Sequence, residues 1–235
     1  MFKLVLDAGH GYNTAGKRCL KSIDPNQTRE WQLNARICDK IENKLKAYNG
    51  VEVKRVDDTS GKTDVALSKR TTTANNYGAD FYLSIHHNAG IKGGKGGGIV
   101  AYTYTKVSNA TKDWQKSIYD ETVKLTGLKG NRATPLGTAN FYVLHHTKAS
   151  AVLLECGFMD STTDTPIILT DDFAEKIATA CVNVIAAKAK LDKKPVAAET
   201  SDKIYRVQVG AYSVKANAEK MKQKLIADGY DAMIV

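Results

Sequence analysis

Short apolar runs alternate with helical periodicity over about the first 190 residues of the chain. The runs at 2–6, 81–85 and 151–154 are each typical of a buried strand, and each stops at a small or polar segment. Between the first two runs, apolar residues recur every four positions and predict a helix with one buried face. These residues are Leu33, Ile37, Ile41 and Leu45.

The same patterns predict further elements along this part of the chain. They are strands over 51–56 and 99–104, and helices over 65–77, about 113–125 and 172 to about 190. Strands that alternate with helices are typical of βαβ units. We therefore predict an α/β fold with a mainly parallel sheet that is flanked by helices on both faces.

The regular pattern ends near residue 190. Residues 191–203 show no periodicity and combine a proline with mixed charges, which is typical of a linker. The rest of the chain predicts a small βαβ module, with a strand at 204–209, a helix at 215–228 and a strand at 232–235. We predict a domain over residues 1–190, a linker over 191–203 and a module over 204–235 that is too small to be stable by itself.

Composition indicates a soluble globular protein. Of its 235 residues 43% are hydrophobic and 25% are charged, and no apolar run approaches the roughly 18 residues that span a bilayer, so we expect no membrane insertion. The first strand starts at residue 2 without a preceding signal peptide, which predicts synthesis in the cytoplasm. The four cysteines lack the spacing of a zinc ribbon or a disulfide framework, so we expect reduced, packed thiols.

A formal net charge of +9 and a pI near 9.2 favour a polyanionic partner. Nucleic acid, an anionic membrane and an anionic cell-wall polymer all fit, and charge alone does not choose among them. The glycine-rich segment at 92–98 lacks the residue order and the strand-then-helix context of a phosphate-binding loop. We interpret this segment as a flexible rim of a cleft and expect no nucleotide site.

Ionisable residues stand where several predicted elements begin or end. His10 follows the first strand, Glu30 lies in the first turn of the first helix, and His86 ends a later strand. Two imidazoles and a carboxylate with an open fourth position are the ligand set of a catalytic zinc (Zn2+) site. Glu155 ends the most uniformly apolar strand, where it is a candidate general base for a hydrolysis.

Each of these residues also has a simpler explanation. Glu30 can act as a helix cap, because acidic residues are common in first turns. A lone histidine after a strand is usually an ordinary loop residue. Three side chains that can bind a metal stand at the ends of three different predicted elements. This combination favours a metal site over three unrelated explanations.

Four ordered motifs carry a resemblance to a known family. They are LDAGHG near the start, Glu30 opening the first helix, Arg70 ahead of GADFYLSIHHNA, and the late segment AVLLECGFMD. Residues 1 to about 190 resemble the zinc-dependent N-acetylmuramoyl-L-alanine amidases of the amidase 3 type. The resemblance implies zinc ligands at His10, Glu30 and His86, a catalytic glutamate at Glu155, and cleavage of the amide between N-acetylmuramic acid and L-alanine in peptidoglycan.

The sequence departs from the family pattern after His86, where the family often has alanine and this chain has His87. Strand alternation sends the two side chains to opposite faces, so we expect only His86 to bind metal. His145 and His146 form a second pair, for which substrate contact and an ordinary surface position remain open. We interpret Cys156 as a buried packing residue and not as a nucleophile.

The C-terminal segment at 204–235 resembles the first half of a SPOR (sporulation-related) repeat, which is a peptidoglycan-binding module. The second βαβ half is absent from this sequence. We therefore hypothesise either a cell-wall-binding role for the half-module or a homodimer in which two half-modules pair their edge strands.

These observations predict a peptidoglycan amidase that acts in bacterial cell lysis, as a phage endolysin or a cytosolic autolysin. Its expected partners are peptidoglycan and anionic wall polymers, without nucleic acid, and it is expected to act on the wall after release. Two alternatives stay open: a zinc peptidase that cuts the stem peptides, and a non-catalytic wall-binding protein in which the histidines are structural.

Overall fold

The computed structural model describes residues 1–195 and 208–234. The chain divides into two compact units, Met1–Lys194 and Pro195–Val235. We describe each unit by itself. Among the described residues, no helix combines the length and the apolar character needed to cross a membrane.

A six-stranded sheet forms the centre of the first unit. Its strands are β1 (Phe2–Ala8), β2 (Val51–Arg55), β3 (Phe81–Asn88), β4 (Ile99–Thr103), β5 (Leu136–Thr138) and β6 (Ser150–Phe158). Their spatial order is β2-β1-β3-β6-β4-β5. The pairing between β4 and β6 is antiparallel and the other four pairings are parallel, so the predicted mainly parallel sheet is confirmed.

Helices cover both faces of this sheet, as predicted. They are α1 (Glu30–Leu45), α2 (Leu67–Tyr77), α3 (Asn109–Thr126), α4 (Tyr142–His145), α5 (Thr165–Ile168) and α6 (Asp171–Ala189). The larger hydrophobic core lies between one sheet face and helices α1, α3 and α6. A smaller core lies on the opposite face, beneath α2 and α4. We call this second surface the α2 face of the sheet.

Strand alternation brings the polar residues of neighbouring strands together on the α2 face. Leu6 of β1 and Leu83 and Ile85 of β3 belong to the larger core. The intervening residues Asp7 and Ser84 point the other way and hydrogen-bond to each other. Because the carboxyl ends of β1, β3 and β6 lie side by side, this edge of the α2 face is where a ligand site is expected.

The third helix begins earlier than its hydrophobic pattern predicted. Residues 109–112 are polar or small and carry no helical signal, but the Ser108 hydroxyl accepts a hydrogen bond from the Thr111 backbone N–H. Such a cap satisfies a free donor in the first turn. The helix therefore starts at Asn109 and not near residue 113.

The glycine-rich segment is fixed by hydrogen bonds and differs from the flexible rim that its composition indicated. The backbone N–H groups of Gly97 and Gly98 donate to Asn131 Oδ1 at 2.9 Å and to Asp164 Oδ2 at 2.7 Å. Asp164 is buried and also accepts from the Phe158 backbone. The glycines therefore permit a close approach of two backbone segments at the end of the sheet.

The described part of the second unit contains one helix, α7 (Lys215–Ala227), which confirms the predicted helix. The predicted strand at 204–209 lies mainly outside the described residues. The predicted strand at 232–235 is wrong for residues 232–234, which are described and form no strand. A strand needs a hydrogen-bonded neighbour, and no other segment within 208–234 supplies one.

Gly130 and Gly127 provide a matched test of the close backbone approach. Both have a left-handed φ, of 68° and 73°, but a Cβ at Gly130 would lie 2.0 Å from the Gly97 carbonyl oxygen, whereas a Cβ at Gly127 meets no heavy atom within 4 Å. We expect Gly127→Ala to lower the free energy of unfolding by about 1 kcal/mol, which is the cost of left-handed alanine. Gly130→Ala should cost about 1–3 kcal/mol more because of the clash.

Urea denaturation followed by tryptophan fluorescence measures both losses, because Trp31 and Trp114 lie in the first unit. Equal losses of unfolding free energy in Gly127→Ala and Gly130→Ala would contradict a close, rigid contact between Gly130 and Gly97.

Candidate metal centre

Three predicted ligands meet at the carboxyl edge of the α2 face. His10 follows β1, Glu30 is the first residue of α1, and His86 lies near the end of β3. Each offers one ligand atom, and these atoms lie within 4.8 Å of one another. His10 Nε2 is 3.3 Å from Glu30 Oε2, and His86 Nδ1 is 3.0 Å from Glu30 Oε1. The carboxylate therefore lies between the two imidazoles.

The turn that carries His10 is held through three consecutive carbonyl oxygens. The Arg70 guanidinium donates to the Ala8 oxygen at 2.8 Å and to the His10 oxygen at 3.0 Å. The Asn34 amide donates to the Gly9 oxygen at 3.1 Å. His10 has a left-handed φ of 67°, which is uncommon for a residue with a side chain. Arg70 and Asn34 therefore hold a backbone conformation that an unrestrained turn would leave.

Arg70 is itself positioned by a buried ion pair with Asp7. Both residues are almost completely inaccessible, and Asp7 also accepts hydrogen bonds from Tyr82 Oη at 2.8 Å and Ser84 Oγ at 2.7 Å. Burial raises the pKa of the Asp7 carboxyl, but the Arg70 charge and the hydrogen-bond donors outweigh it and hold this pKa below its ordinary value. The carboxylate is therefore charged and compensates Arg70.

Two buried polar atoms of the ligand cluster have no hydrogen-bond partner. They are His10 Nε2 and Glu30 Oε2, which face each other. Burial raises the pKa of Glu30, but the neighbouring imidazoles of His10 and His86 outweigh it and hold this pKa well below the ordinary value. The Lys17 ammonium lies 3.6 Å from Glu30 Oε2, which is beyond hydrogen-bond distance. An ionised, buried carboxylate oxygen without a hydrogen bond is expensive, so the donor set fits a metal cation between these side chains.

Glu155 of β6 pairs with His86 of β3, on the same face of the sheet and three residues before β6 ends at Phe158. Its Oε2 atom is buried without a hydrogen-bond partner. Burial raises the pKa of Glu155 to about 7; the His86 charge opposes this rise and the Glu30 charge adds to it. A carboxyl with this pKa both accepts and releases a proton near neutral pH.

A sequence model of the N-acetylmuramoyl-L-alanine amidase family matches residues 4–187, which form most of the chain. The chain belongs to this family. A model of the SPOR domain matches residues 201–235 of the amidase. Both resemblances predicted from the sequence motifs are confirmed, and so is the prediction that the chain is an enzyme of this class.

Similar curated proteins include bacterial and phage enzymes. The amidase is 33% identical to the N-acetylmuramoyl-L-alanine amidase CwlM of Bacillus licheniformis, over its whole length and 85% of that protein. It is 31% identical to the Endolysin of Bacillus phage SPP1, over 83% of this chain and 69% of that protein.

Solved structures show the same fold. The catalytic domain of CwlV, an N-acetylmuramoyl-L-alanine amidase from Paenibacillus polymyxa, aligns with a TM-score of 0.71 at 26% identity. The alignment covers 82% of this chain and 100% of the CwlV domain. An N-acetylmuramoyl-L-alanine amidase from Clostridium difficile 630 has a TM-score of 0.71 at 25% identity, over 80% of this chain and 97% of its own.

The neighbouring residue His87 of the amidase has a different environment from His86. Its imidazole is buried, with Nδ1 at 2.8 Å from Asn34 Oδ1, and burial lowers its pKa to about 3. Its backbone N–H donates to Glu30 Oε1 at 3.2 Å. In the described part of the chain, the cluster therefore includes His86 and leaves out the side chain of His87.

The remaining candidates from the sequence lie outside this cluster. His145 and His146 are exposed and stack on Tyr104 and Tyr142. Cys156 is a buried free thiol, and burial raises its pKa well above the ordinary value, which opposes a nucleophilic role.

Sequence reasoning missed several residues that support the site. Asp7 and Asn34 were not singled out, and Arg70 was noted only as part of a motif. The signal for Asp7 is a charged residue inside an apolar strand, but its partners, Tyr82 and Ser84, come from a strand more than 70 positions away. Only the pairing of β1 with β3 brings them together.

Asp7→Asn tests the buried ion pair beneath the site. The substitution keeps the shape of the side chain and leaves the Arg70 charge buried without its counterion, so we expect a loss of about 3–5 kcal/mol in the free energy of unfolding. Ser84→Ala is the matched control; it removes one hydrogen bond to Asp7 and should cost about 1–2 kcal/mol. Urea denaturation followed by tryptophan fluorescence measures both.

The same pair predicts a pH dependence. Because the folded-state pKa of Asp7 is lowered, its stabilising contribution is present above its unfolded pKa near 4 and is lost as the pH falls through the folded pKa. The difference in stability between the parent protein and Asp7→Asn should therefore shrink as the pH falls from 5 towards the folded pKa. A difference that stays constant over this range would contradict the ionised carboxylate.

Proposed function

We propose that this chain is a zinc-dependent amidase that hydrolyses the amide bond between N-acetylmuramic acid and L-alanine in peptidoglycan. The observation that carries the metal part of the proposal is the unpartnered pair of buried atoms, His10 Nε2 and Glu30 Oε2, beside His86. The family is generally zinc-dependent. Nitrogen and oxygen donors in this combination suit zinc better than magnesium or calcium.

The residues proposed to hold zinc are His10, Glu30 and His86. The side chains of His10 and His86 are 18% and 17% exposed, whereas Glu30 is 1% exposed and lies behind them. The two imidazoles are therefore partly accessible to solvent, whereas the carboxylate is buried. When bound, zinc polarises a substrate carbonyl and lowers the pKa of a water molecule towards 7.

Glu155 is proposed as the general base and then the general acid. Its carboxylate accepts a proton from the attacking water and returns it to the leaving amide nitrogen. The raised pKa of about 7 supports both steps, because neither the charged nor the neutral form is strongly favoured near neutral pH. The buried Oε2 atom without a partner keeps the group free for this transfer.

Glu155→Gln separates catalysis from metal binding. We expect amide hydrolysis to fall at least about 100-fold, since the proton acceptor is lost, while the purified protein retains about one zinc per chain. Zinc is measured by mass spectrometry of the metal, and hydrolysis by the appearance of new L-alanine amino termini with intact glycan. Glu219→Gln, at an exposed position of α7, is the matched control and should change neither quantity.

The outcomes distinguish the proposal from its alternatives. New amino termini within the stem peptide would show a zinc peptidase. Full hydrolysis by the Glu155→Gln variant would show that Glu155 is not the general base. Binding of the parent protein to the wall without any hydrolysis would show a non-catalytic wall-binding protein.

His86→Ala tests the ligand assignment. Loss of one of three ligands should lower the bound zinc to well below one per chain and abolish chelator-sensitive hydrolysis. The buried neighbour His87 supplies a comparison, because His87→Ala removes an imidazole of the same strand that lies outside the cluster. His87→Ala should retain zinc, and loss of zinc from His87→Ala alone would reverse the assignment.

We further propose that the enzyme acts in cell lysis, as a phage endolysin or an autolysin. Its similarity to a protein named Endolysin and its net charge of +9, which suits an anionic wall, support this role. The segment that matches the SPOR domain is proposed to add binding to peptidoglycan. Synthesis in the cytoplasm, binding of anionic wall polymers and pairing of two C-terminal modules stay predictions from the sequence.

A further inference from the structure

Six ring-bearing side chains form an aromatic surface on the α2 face, apart from the ligand cluster. They are Tyr102, Tyr104, Phe141, Tyr142, His145 and His146. Tyr104 and His145 are stacked with ring centroids 4.4 Å apart, and Tyr142 and His146 are stacked at 3.9 Å. His145 and His146 contact each other at 4.7 Å and join the two stacks.

The aromatic surface begins beside the proposed general base. Val100 of β4 pairs with Glu155 of β6, and Tyr102 lies two residues further along the same face of β4. The Glu155 charge is close enough to contribute to a raised pKa of Tyr102, after burial, which is the larger cause. Phe141 contacts the Tyr102 ring edge to face at 5.5 Å. Because β4 is antiparallel to β6, Tyr102 pairs with Leu153, so the aromatic surface starts next to Glu155 and extends from there towards the amino end of β6.

Helix α4 holds these rings on a packed base. Val143 and Leu144 are buried against the smaller core, so the flanking Phe141 and Tyr142 are turned outwards. Phe141 is 40% exposed and Tyr142 is 38% exposed.

The carboxyl end of α4 is also fixed, because the Asn75 side chain donates to the His146 carbonyl at 2.8 Å and accepts from the Lys148 backbone at 2.9 Å. Large rings that are held this way and left exposed indicate a binding surface.

The accessible groups near the ligand cluster differ in chemistry between the β1 side and the β4 side of the sheet. On the β1 side, the ammonium of Lys17 lies 3.6 Å from Glu30 Oε2, and Lys17 is half exposed. On the β4 side, the accessible groups are aromatic faces with phenol and imidazole edges. A peptide with free carboxylates fits the cationic side, whereas neutral sugar rings place their C–H faces on aromatic rings and their hydroxyl groups on the polar edges.

We propose that the aromatic surface binds N-acetylated sugar rings of the glycan strand and directs this arm of the substrate along β4 and α4. The inference rests on the proposed function, because it assigns the two arms of the cleaved amide to the β1 side and the β4 side of the ligand cluster. Sugars beyond the muramic acid at the cleavage site would occupy Tyr142 and His146.

Binding can be measured without catalysis. In a Glu155→Gln background, retardation of the full chain in native gels that contain glycol chitin, a soluble polymer of N-acetylglucosamine, reports binding to sugar rings. Tyr142→Ala and His146→Ala should each weaken this binding about fivefold, whereas Tyr142→Trp keeps a ring and should retain it. Ile167→Ala, which shortens another exposed apolar side chain, is the control. The C-terminal unit is identical in all of these variants, so any binding of this unit to glycol chitin contributes equally to each and does not affect the comparison.

Kinetics supply the second measurement. Tyr142→Ala should raise KM about fivefold for peptidoglycan with long glycan strands and leave kcat unchanged, with no change for a muramoyl peptide that has one sugar. Tryptophan fluorescence during denaturation confirms that each variant is folded.

Unchanged glycol chitin binding in both alanine variants would overturn the proposal. An equal rise in KM for the single-sugar substrate would overturn it in favour of a peptide contact. Neither result would affect the amidase assignment, which depends on Glu155 and the bound metal.

Discussion

The buried ion pair between Asp7 and Arg70 is the interaction on which the catalytic edge depends. It joins β1 to α2, and through Tyr82 and Ser84 it also joins β3. Arg70 uses its remaining donors to hold the carbonyl oxygens on either side of Gly9, so a charge inside the fold determines the backbone of a proposed ligand turn. Such a pair is retained at a desolvation cost, which suits a role in geometry more than in net stability.

Asn34 and His87 hold the same turn from the side of α1. The Asn34 amide donates to the Gly9 carbonyl and its oxygen accepts from the His87 ring, while the His87 backbone donates to Glu30. Two adjacent histidines thus have different roles because strand alternation points them to opposite faces. His86 belongs to the ligand cluster, whereas the His87 ring stays uncharged and buried against Asn34 and only the His87 backbone contacts Glu30.

Periodicity in the sequence predicted the long elements, because these depend on local patterns. The strands predicted to end on His86 and Glu155 run on to Asn88 and Phe158, so both residues lie near the strand ends and not at them. Periodicity could not predict β5 or α4, since three or four residues carry no period. It also indicated a flexible glycine segment, where contacts with Asn131 and Asp164 fix the backbone, and a strand at 232–235, whose described residues 232–234 form no strand. These features depend on contacts between residues that are far apart in the sequence, which a local pattern does not contain.

The two glutamates of the cleft show how environment divides their roles. Burial raises the pKa of both carboxyls, but Glu30 lies between two imidazoles and its pKa falls well below the ordinary value. Glu155 lies on β6, which β3 separates from β1. At this position burial outweighs the His86 charge, and the pKa of Glu155 rises to about 7. A permanently ionised carboxylate suits a ligand, and a carboxyl that titrates near neutral pH suits proton transfer. The two pKa values therefore differ because the imidazoles of His10 and His86 act most strongly on Glu30, whereas burial dominates at Glu155.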